Sequence, residues 1–251
     1  MHELKRAVAA LIVASTAVMA CACDAGVVGS TTAGDDDDGT RAATSHRRSL
    51  VVLIHGYGGD AGGMVGLERA LVARGVEAER IVRFDYSGVT HERLERNAER
   101  LRDDLRARAP ARIELVGHSL GGMVARTFVK TYCGEQAKRC DLGDGVRTTL
   151  GQVFTIASPN RGTGWWWLLA APVRDQVAPG SSHLRWLNRG AQPTTWMFAA
   201  TFDVVVFPWW NAHWSCASCR HHTVIFAEHN SILDSSSVQD RIAAQLAPQP
   251  R

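Results

Sequence analysis

The segment Gly117-His118-Ser119-Leu120-Gly121-Gly122 limits what this chain can fold into more than any other stretch. It follows the run Ile113 to Val116, apolar apart from Glu114, that reads as a strand buried on both faces, and it opens a helical pattern starting near Met123. A serine in a strand-to-helix turn is forced into a tight backbone conformation that lifts its hydroxyl clear of the sheet. Small flanking glycines keep the neighbouring backbone from colliding. The helix N-terminus beneath such a serine favours developing negative charge.

The rest of the chain supplies the strands and helices this turn needs. Leu50 to His55 and Val153 to Ala157 are runs that are almost wholly apolar, as expected of strands inside a parallel sheet. Ile81 to Phe84, Trp196 to Thr201 and Thr223 to Phe226 read as further strands. Between them, His91 to Arg108 places Leu94, Ala98, Leu101 and Leu105 on one stripe amid charged residues, the pattern of a helix lying on a sheet. Val238, Ile242 and Leu246 mark a closing helix with a capping pair at Ser236 and Gln239. Strand and helix alternate, so the class is α/β with a mostly parallel sheet. At 251 residues the chain has room for one sizeable core.

A serine hydroxyl is a poor nucleophile at neutral pH and requires a histidine to take its proton and a carboxylate to orient that histidine. With a serine on such a turn, the order along the chain is serine, acid, histidine. Ser119 is the candidate nucleophile. Of the downstream histidines His183, His213, His221, His222 and His229, only His229 follows a strand-like run and precedes the last helix. That places it in a loop at the carboxyl end of a strand, and it is the candidate base. His221 and His222 precede the same run and are expected at the opposite edge, facing solvent or in local loop bonding.

Asp203 is the preferred acid because it ends the Trp196 to Thr201 segment, with Glu228 and Asp234 in reserve close to His229. Asp141 and Asp144 fall in a glycine-containing loop, Asp175 has no strand before it, and Asp85 precedes the serine, where a structural hydrogen bond is its expected role. The cluster His55-Gly56-Tyr57-Gly58-Gly59 follows the first buried strand on the edge where Ser119 emerges. The backbone N–H groups of Tyr57 and Leu120 are candidates to hold an oxyanion. A turn needing glycine for its geometry alone is the competing reading of that cluster.

These residues together resemble the small bacterial triacylglycerol lipases and esterases of the α/β-hydrolase fold. The resemblance runs from Leu50 to Leu246 and rests on the HGYGG loop at residues 55–59, the GHSLGG turn at 117–122, Ser158-Pro159-Asn160-Arg161-Gly162, and the positions of Asp203 and His229. It implies a central sheet with helices on both faces, a small lid or none, hydrolysis of lipid-like or short-chain esters, no cofactor and no metal. An acyltransferase, thioesterase or amidase would use the same residues, and a lipid- or glycan-binding protein would keep the fold without the chemistry. A monomer is expected.

Outside the core, Lys5 and Arg6 precede an apolar run from Ala7 to Ala20, the pattern of an export leader over residues 1–20. Val18-Met19-Ala20-Cys21 resembles a lipobox, which makes Cys21 a candidate lipidated N-terminus anchoring an exported protein to a membrane. Cleavage near Ala20 or Ala22 without lipidation is the alternative. Residues 21–48 are rich in Gly, Ser, Thr, Ala and Asp and read as a disordered tether, leaving 49–247 as the catalytic domain. The formal net charge of +3 is too small to suggest a nucleic-acid partner.

Export favours disulfides. Cys133 and Cys140 suit a short-loop bridge after the serine helix, and Cys216 and Cys219 a second bridge. With His213, His221 and His222 nearby, zinc ligation or reactive thiols are the alternatives for the second pair. All eight tryptophans fall between Trp165 and Trp214, as an acyl-binding wall or lid, or as cover for the sheet.

Overall fold

The run of Val, Leu and Ile in β1 (Ser49–Ile54) is buried to the end of the strand, because the strand sits in the middle of a sheet with a layer on each face. The computed structural model describes residues 49–134 and 138–247. The leader, Cys21 and the tether expected at 21–48 lie outside the described residues. With β2 (Ile81–Phe84), β3 (Arg112–His118), β5 (Arg147–Ile156), β6 (Thr195–Ala200) and β7 (Cys219–Val224), β1 builds a parallel sheet in the order β2-β1-β3-β5-β6-β7. A short β4 (Arg139–Asp141) pairs antiparallel with β5.

Side chains alternate between the two faces, and so do the cores. Leu50, Val52 and Ile54 pack with α2 (Leu94–Arg108) and α3 (Leu120–Tyr132) on one face. Val51 and Leu53 pack with α1 (Val65–Val72) and α6 (Ser236–Leu246) on the other. The stripe Leu94, Ala98, Leu101 and Leu105 is fully buried, as its spacing predicts. Two short helices, α4 (Val173–Gln176) and α5 (Ser182–Leu187), extend the first layer. The chain has the α/β-hydrolase fold.

Gln176 of α4 gives α2 its start, since its Oε1 accepts the Leu94 N–H at 2.7 Å in place of a local cap. Its amide also donates to Glu95 Oε2 at 2.7 Å, and His183 bridges Glu95 Oε1 at 3.2 Å and Thr127 Oγ1 of α3 at 3.1 Å. Burial pushes the Glu95 carboxyl up, but the hydrogen bonds from His183 and Gln176 outweigh it and hold the group down at about 2.

Several boundaries differ from the sequence reading. The serine helix begins at Leu120 instead of Met123, because the glycines at 121 and 122 are already helical. The last helix is preceded by Ser235 with no side-chain cap, and Gln239 donates to the Leu233 carbonyl at 2.8 Å instead of closing a capping pair with Ser236. The last strand shifts most. It spans Cys219–Val224, so His221 and His222 lie within it, beside Met197 and Phe198, and not ahead of it. An edge strand with half-exposed residues shows little apolar pattern, whereas Ile225 and Phe226, which read as strand, sit past its end at 67% and 77% exposure.

Candidate active site

Ser119 occupies the turn between β3 and α3 with φ 54° and ψ −124°, a conformation that L side chains rarely adopt. Its N–H donates to the Ile156 carbonyl of β5 at 2.8 Å, and its carbonyl accepts the Gly122 N–H at 3.2 Å, so the turn is pinned from both sides. The glycines are required by contact. A Cβ on Gly121 would meet the carbonyls of Ile54 and His55, and one on Gly122 would meet the Ser158 side chain. Helix α3 can therefore start directly against the end of β1 only where no side chain intervenes.

Residues far apart in the chain converge on this hydroxyl. Ser119 Oγ–H donates to His229 Nε2 at 2.9 Å, and His229 Nδ1–H donates to Asp203 Oδ2 at 2.8 Å. Asp203 sits just past β6, and its other oxygen accepts the N–H groups of Val205 and Val206, each at 2.8 Å. The carboxylate is thus buried and held by three donors, so it points in one direction. A serine, an imidazole and a carboxylate joined in this way can pass a proton from hydroxyl to ring while the acid keeps the ring in one tautomer.

Tyr57 and Leu120 both line the cavity above Ser119, and the backbone hydrogen bonds of the surrounding turns use neither of their N–H groups. Gly56 lies against the serine, where an added Cβ would come within 2.9 Å of Ser119 Cβ. The loop is braced from behind: the Tyr86 N–H donates to His55 Nε2 at 3.1 Å, and the Tyr86 hydroxyl donates to the His55 carbonyl at 2.8 Å. The Ser158 to Gly162 turn adds a further brace, since Asn160 donates to Thr155 Oγ1 at 3.1 Å and accepts from Arg126 Nη1 at 2.8 Å.

The cavity has a volume of about 750 Å³ and crosses the end of the sheet. Over one face its wall is Tyr57, Leu120, Leu169 and Val177, and over the other it is Met64, Leu67 and Leu233. Glu228 and Asp234, the reserve acids, line it but make no bond to His229, whose Nδ1 is taken by Asp203. Asp85 accepts the Ser87 N–H at 2.8 Å, the local role expected of it. Asp144 pairs with Arg106 and Asp175 with Arg174.

Of the tryptophans, only Trp165 lines the cavity among the described residues. Trp166 packs on the first core, Trp196 donates to Gln152 at 2.7 Å, and Trp214 stacks under the Arg126 guanidinium at 4.9 Å. Phe202, Val204, Val205 and Val206, the residues around the acid, line the same cavity. Cys133 is bonded to Cys140 and Cys216 to Cys219. The second disulfide uses up both sulfurs that a zinc reading would need as thiolates.

One residue escaped the sequence reading. His118, between strand and serine, is buried, and its Nε2–H donates to the backbone carbonyl of His229 at 2.8 Å. Its place inside the Gly-x-Ser-x-Gly pattern was visible, but its partner 111 positions away was not.

The chain thus carries a hydrogen-bonded Ser-His-Asp arrangement at the carboxyl edge of the sheet of an α/β-hydrolase fold. The chain belongs to the DUF7379 family, described as a domain of unknown function, whose sequence profile matches residues 27–174. That match contains Ser119 and ends before Asp203 and His229. No curated protein matches the chain. Among solved structures it is similar to the lin2722 gene product of Listeria innocua, with a TM-score of 0.61 and 14% identity over 81% of this chain and 96% of that one. It is also similar to Aspergillus fumigatus lipase B, with a TM-score of 0.61 and 16% identity over 76% of this chain and 51% of that one. Bacillus licheniformis lipase BlEst2 in its mature form matches with a TM-score of 0.55 and 12% identity over 84% of this chain and 96% of that one. At such identities the likeness carries the fold.

Proposed function

We propose that the protein is a serine hydrolase of carboxylic esters, acting through an acyl-enzyme on Ser119. The observation that carries this reading is the hydrogen-bonded chain Ser119–His229–Asp203 opening into an apolar cavity. His229 Nε2 takes the Ser119 proton as Oγ attacks the ester carbonyl carbon. The carbonyl oxygen becomes an oxyanion, held by the Tyr57 and Leu120 N–H groups. Collapse of this intermediate breaks the bond to the alcohol oxygen, which receives the proton from His229, and water repeats the sequence to free the acid. No cofactor enters these steps. Thioester or amide cleavage and acyl transfer would run on the same groups.

The cavity also bears on substrate class. Its walls are largely apolar, and among the described residues its charged side chains, apart from histidines, are the carboxylates Asp60, Glu228 and Asp234. Esters with an uncharged acyl chain and an alcohol free of anionic groups fit this lining, and phosphate- or carboxylate-bearing alcohols are disfavoured. We further read the protein as exported and held on a membrane through a lipidated Cys21, as a monomer. The lipobox-like Val18 to Cys21 and the two disulfides support export.

The test is hydrolysis of p-nitrophenyl butyrate and palmitate by the full chain, with Ser119→Ala as the comparison. Loss of turnover in the variant is the expected result, and the ratio of the two esters separates an esterase from a lipase. Equal activity in the variant, or none in the unaltered protein on either ester, overturns the reading.

A further inference from the structure

We propose that His118 is a positioning residue for the base: it ties the backbone of His229 to the serine turn, so that Nε2 stays within reach of Oγ. The inference rests on the serine chemistry proposed above.

The need for such a tie follows from the strand order. His229 lies in the segment after β7, the edge strand, whereas Ser119 follows β3, and β5 and β6 stand between them. The base must therefore reach back across two strands to meet the nucleophile. Its side chain is fixed from the end of β6 by Asp203. That bond orients the ring and acts on the side chain alone. The segment's backbone bonds include local turns, Ile232 N–H to the Glu228 carbonyl at 3.2 Å, Leu233 N–H to the Asn230 carbonyl at 3.0 Å and Glu228 N–H to Ser231 Oγ at 2.9 Å, and ties to the end of β6, Phe202 N–H to the Ala227 carbonyl and Phe226 N–H to Thr201 Oγ1, each at 2.9 Å. None of these reaches β3.

His118 supplies a bond from β3 to the main chain of the base. It is the residue immediately before the nucleophile, so its backbone moves with the serine turn. Its Nε2–H donates to the His229 carbonyl at 2.8 Å, and the two rings lie 5.0 Å apart at 47°. Main chain and side chain of the base are then held from different strands, one of them the nucleophile's own. The titratable groups whose charge is felt at His118 are His229, Asp203 and His55. Burial pushes the His118 imidazole down to about 3, so it remains an uncharged donor at working pH and places no positive charge beside the imidazolium that forms on His229.

The experiment measures, in the full chain, the rate at which a fluorophosphonate labels Ser119 and the kcat and KM for p-nitrophenyl butyrate. Unaltered protein is compared with His118→Phe, which keeps a ring but loses the donor, and His118→Gln, whose amide can donate again. His118→Phe should label and turn over about 10- to 100-fold more slowly with KM within about twofold, the cost of misplacing a catalytic group. His118→Gln should recover most of that loss. A merely space-filling role predicts the reverse, with Phe active and Gln no better. His118→Phe at full rate overturns the proposal, and so does a folded His118→Gln as slow as His118→Phe. If Ser119 of the unaltered protein does not label at all, the serine reading itself fails, which is a separate result.

Discussion

Asp203→Asn isolates what the buried acid does, because the substitution changes charge and hydrogen-bond polarity with almost no change in shape. In the protein, one carboxylate oxygen accepts two backbone N–H groups, from Val205 and Val206, while the other accepts His229 Nδ1–H. The asparagine carbonyl can keep the first two bonds, so its NH₂ must take the place of the oxygen facing His229. The imidazole then turns its unprotonated Nδ1 toward that donor and carries its proton on Nε2. In that tautomer it points an N–H at Ser119 Oγ and has no lone pair to accept the hydroxyl proton. Loss of the correct tautomer in a triad of this kind costs about 10⁴ in kcat, which at about 1.36 kcal/mol per decade is roughly 5 kcal/mol of transition-state stabilisation. The assay is kcat for p-nitrophenyl butyrate at neutral pH, with a thermal melt to confirm the fold. A folded Asp203→Asn within tenfold of the unaltered kcat would refute the argument and shift the acid role to Glu228 or Asp234, which line the same cavity.

Two further outcomes follow from the packing. Gly121→Ala drives a methyl into the Ile54 and His55 carbonyls, which cannot yield as side chains do, and should cost about 1–3 kcal/mol or more together with Ser119 labelling. Gly63→Ala meets no atom within 4 Å and should melt close to the unaltered protein. Glu95→Gln should remove an acid-dependent part of stability. The Glu95 carboxyl is held at about 2 against an ordinary value of about 4.3, so its contribution is complete above the higher value and is lost as pH falls toward the lower. With Glu95 42% exposed, the effect is at most about 1 kcal/mol. Urea melts at pH 7 and pH 3 check it, and a gap between the two proteins that widens on acidification would count against it.

The parts of the site visible in the sequence are those where local geometry dictates residue type. Ser119 was legible because an apolar strand, a serine between glycines and a helix are adjacent in the chain, and only small residues permit that turn. His229 and Asp203 were legible as residues at strand ends, although the strand before His229 was misplaced. Its exposed edge position left Ile225 and Phe226 looking more strand-like than Cys219 to His222. The tryptophans misled in a similar way: bulk and hydrophobicity can be read from composition, but which of them faces a cavity depends on how the excursions between the strands pack. Only Trp165 among them reaches it.

The sequence by itself determined the alternation of strands and helices, the serine turn and its neighbouring glycines, and a short set of acids and histidines in the required order. Those features depend on residues close together in the chain, where sterics and periodicity act directly. Only the tertiary structure decided that Asp203, and not Glu228 or Asp234, bonds His229, that Cys216 and Cys219 share a disulfide, and that His118 holds the base from the nucleophile's own strand. Each of these is a contact made by directional bonds of about 3 Å or less, and apart from the disulfide the partners lie far apart in the chain. Whether such groups meet depends on the strand order that brings their elements to one edge of the sheet.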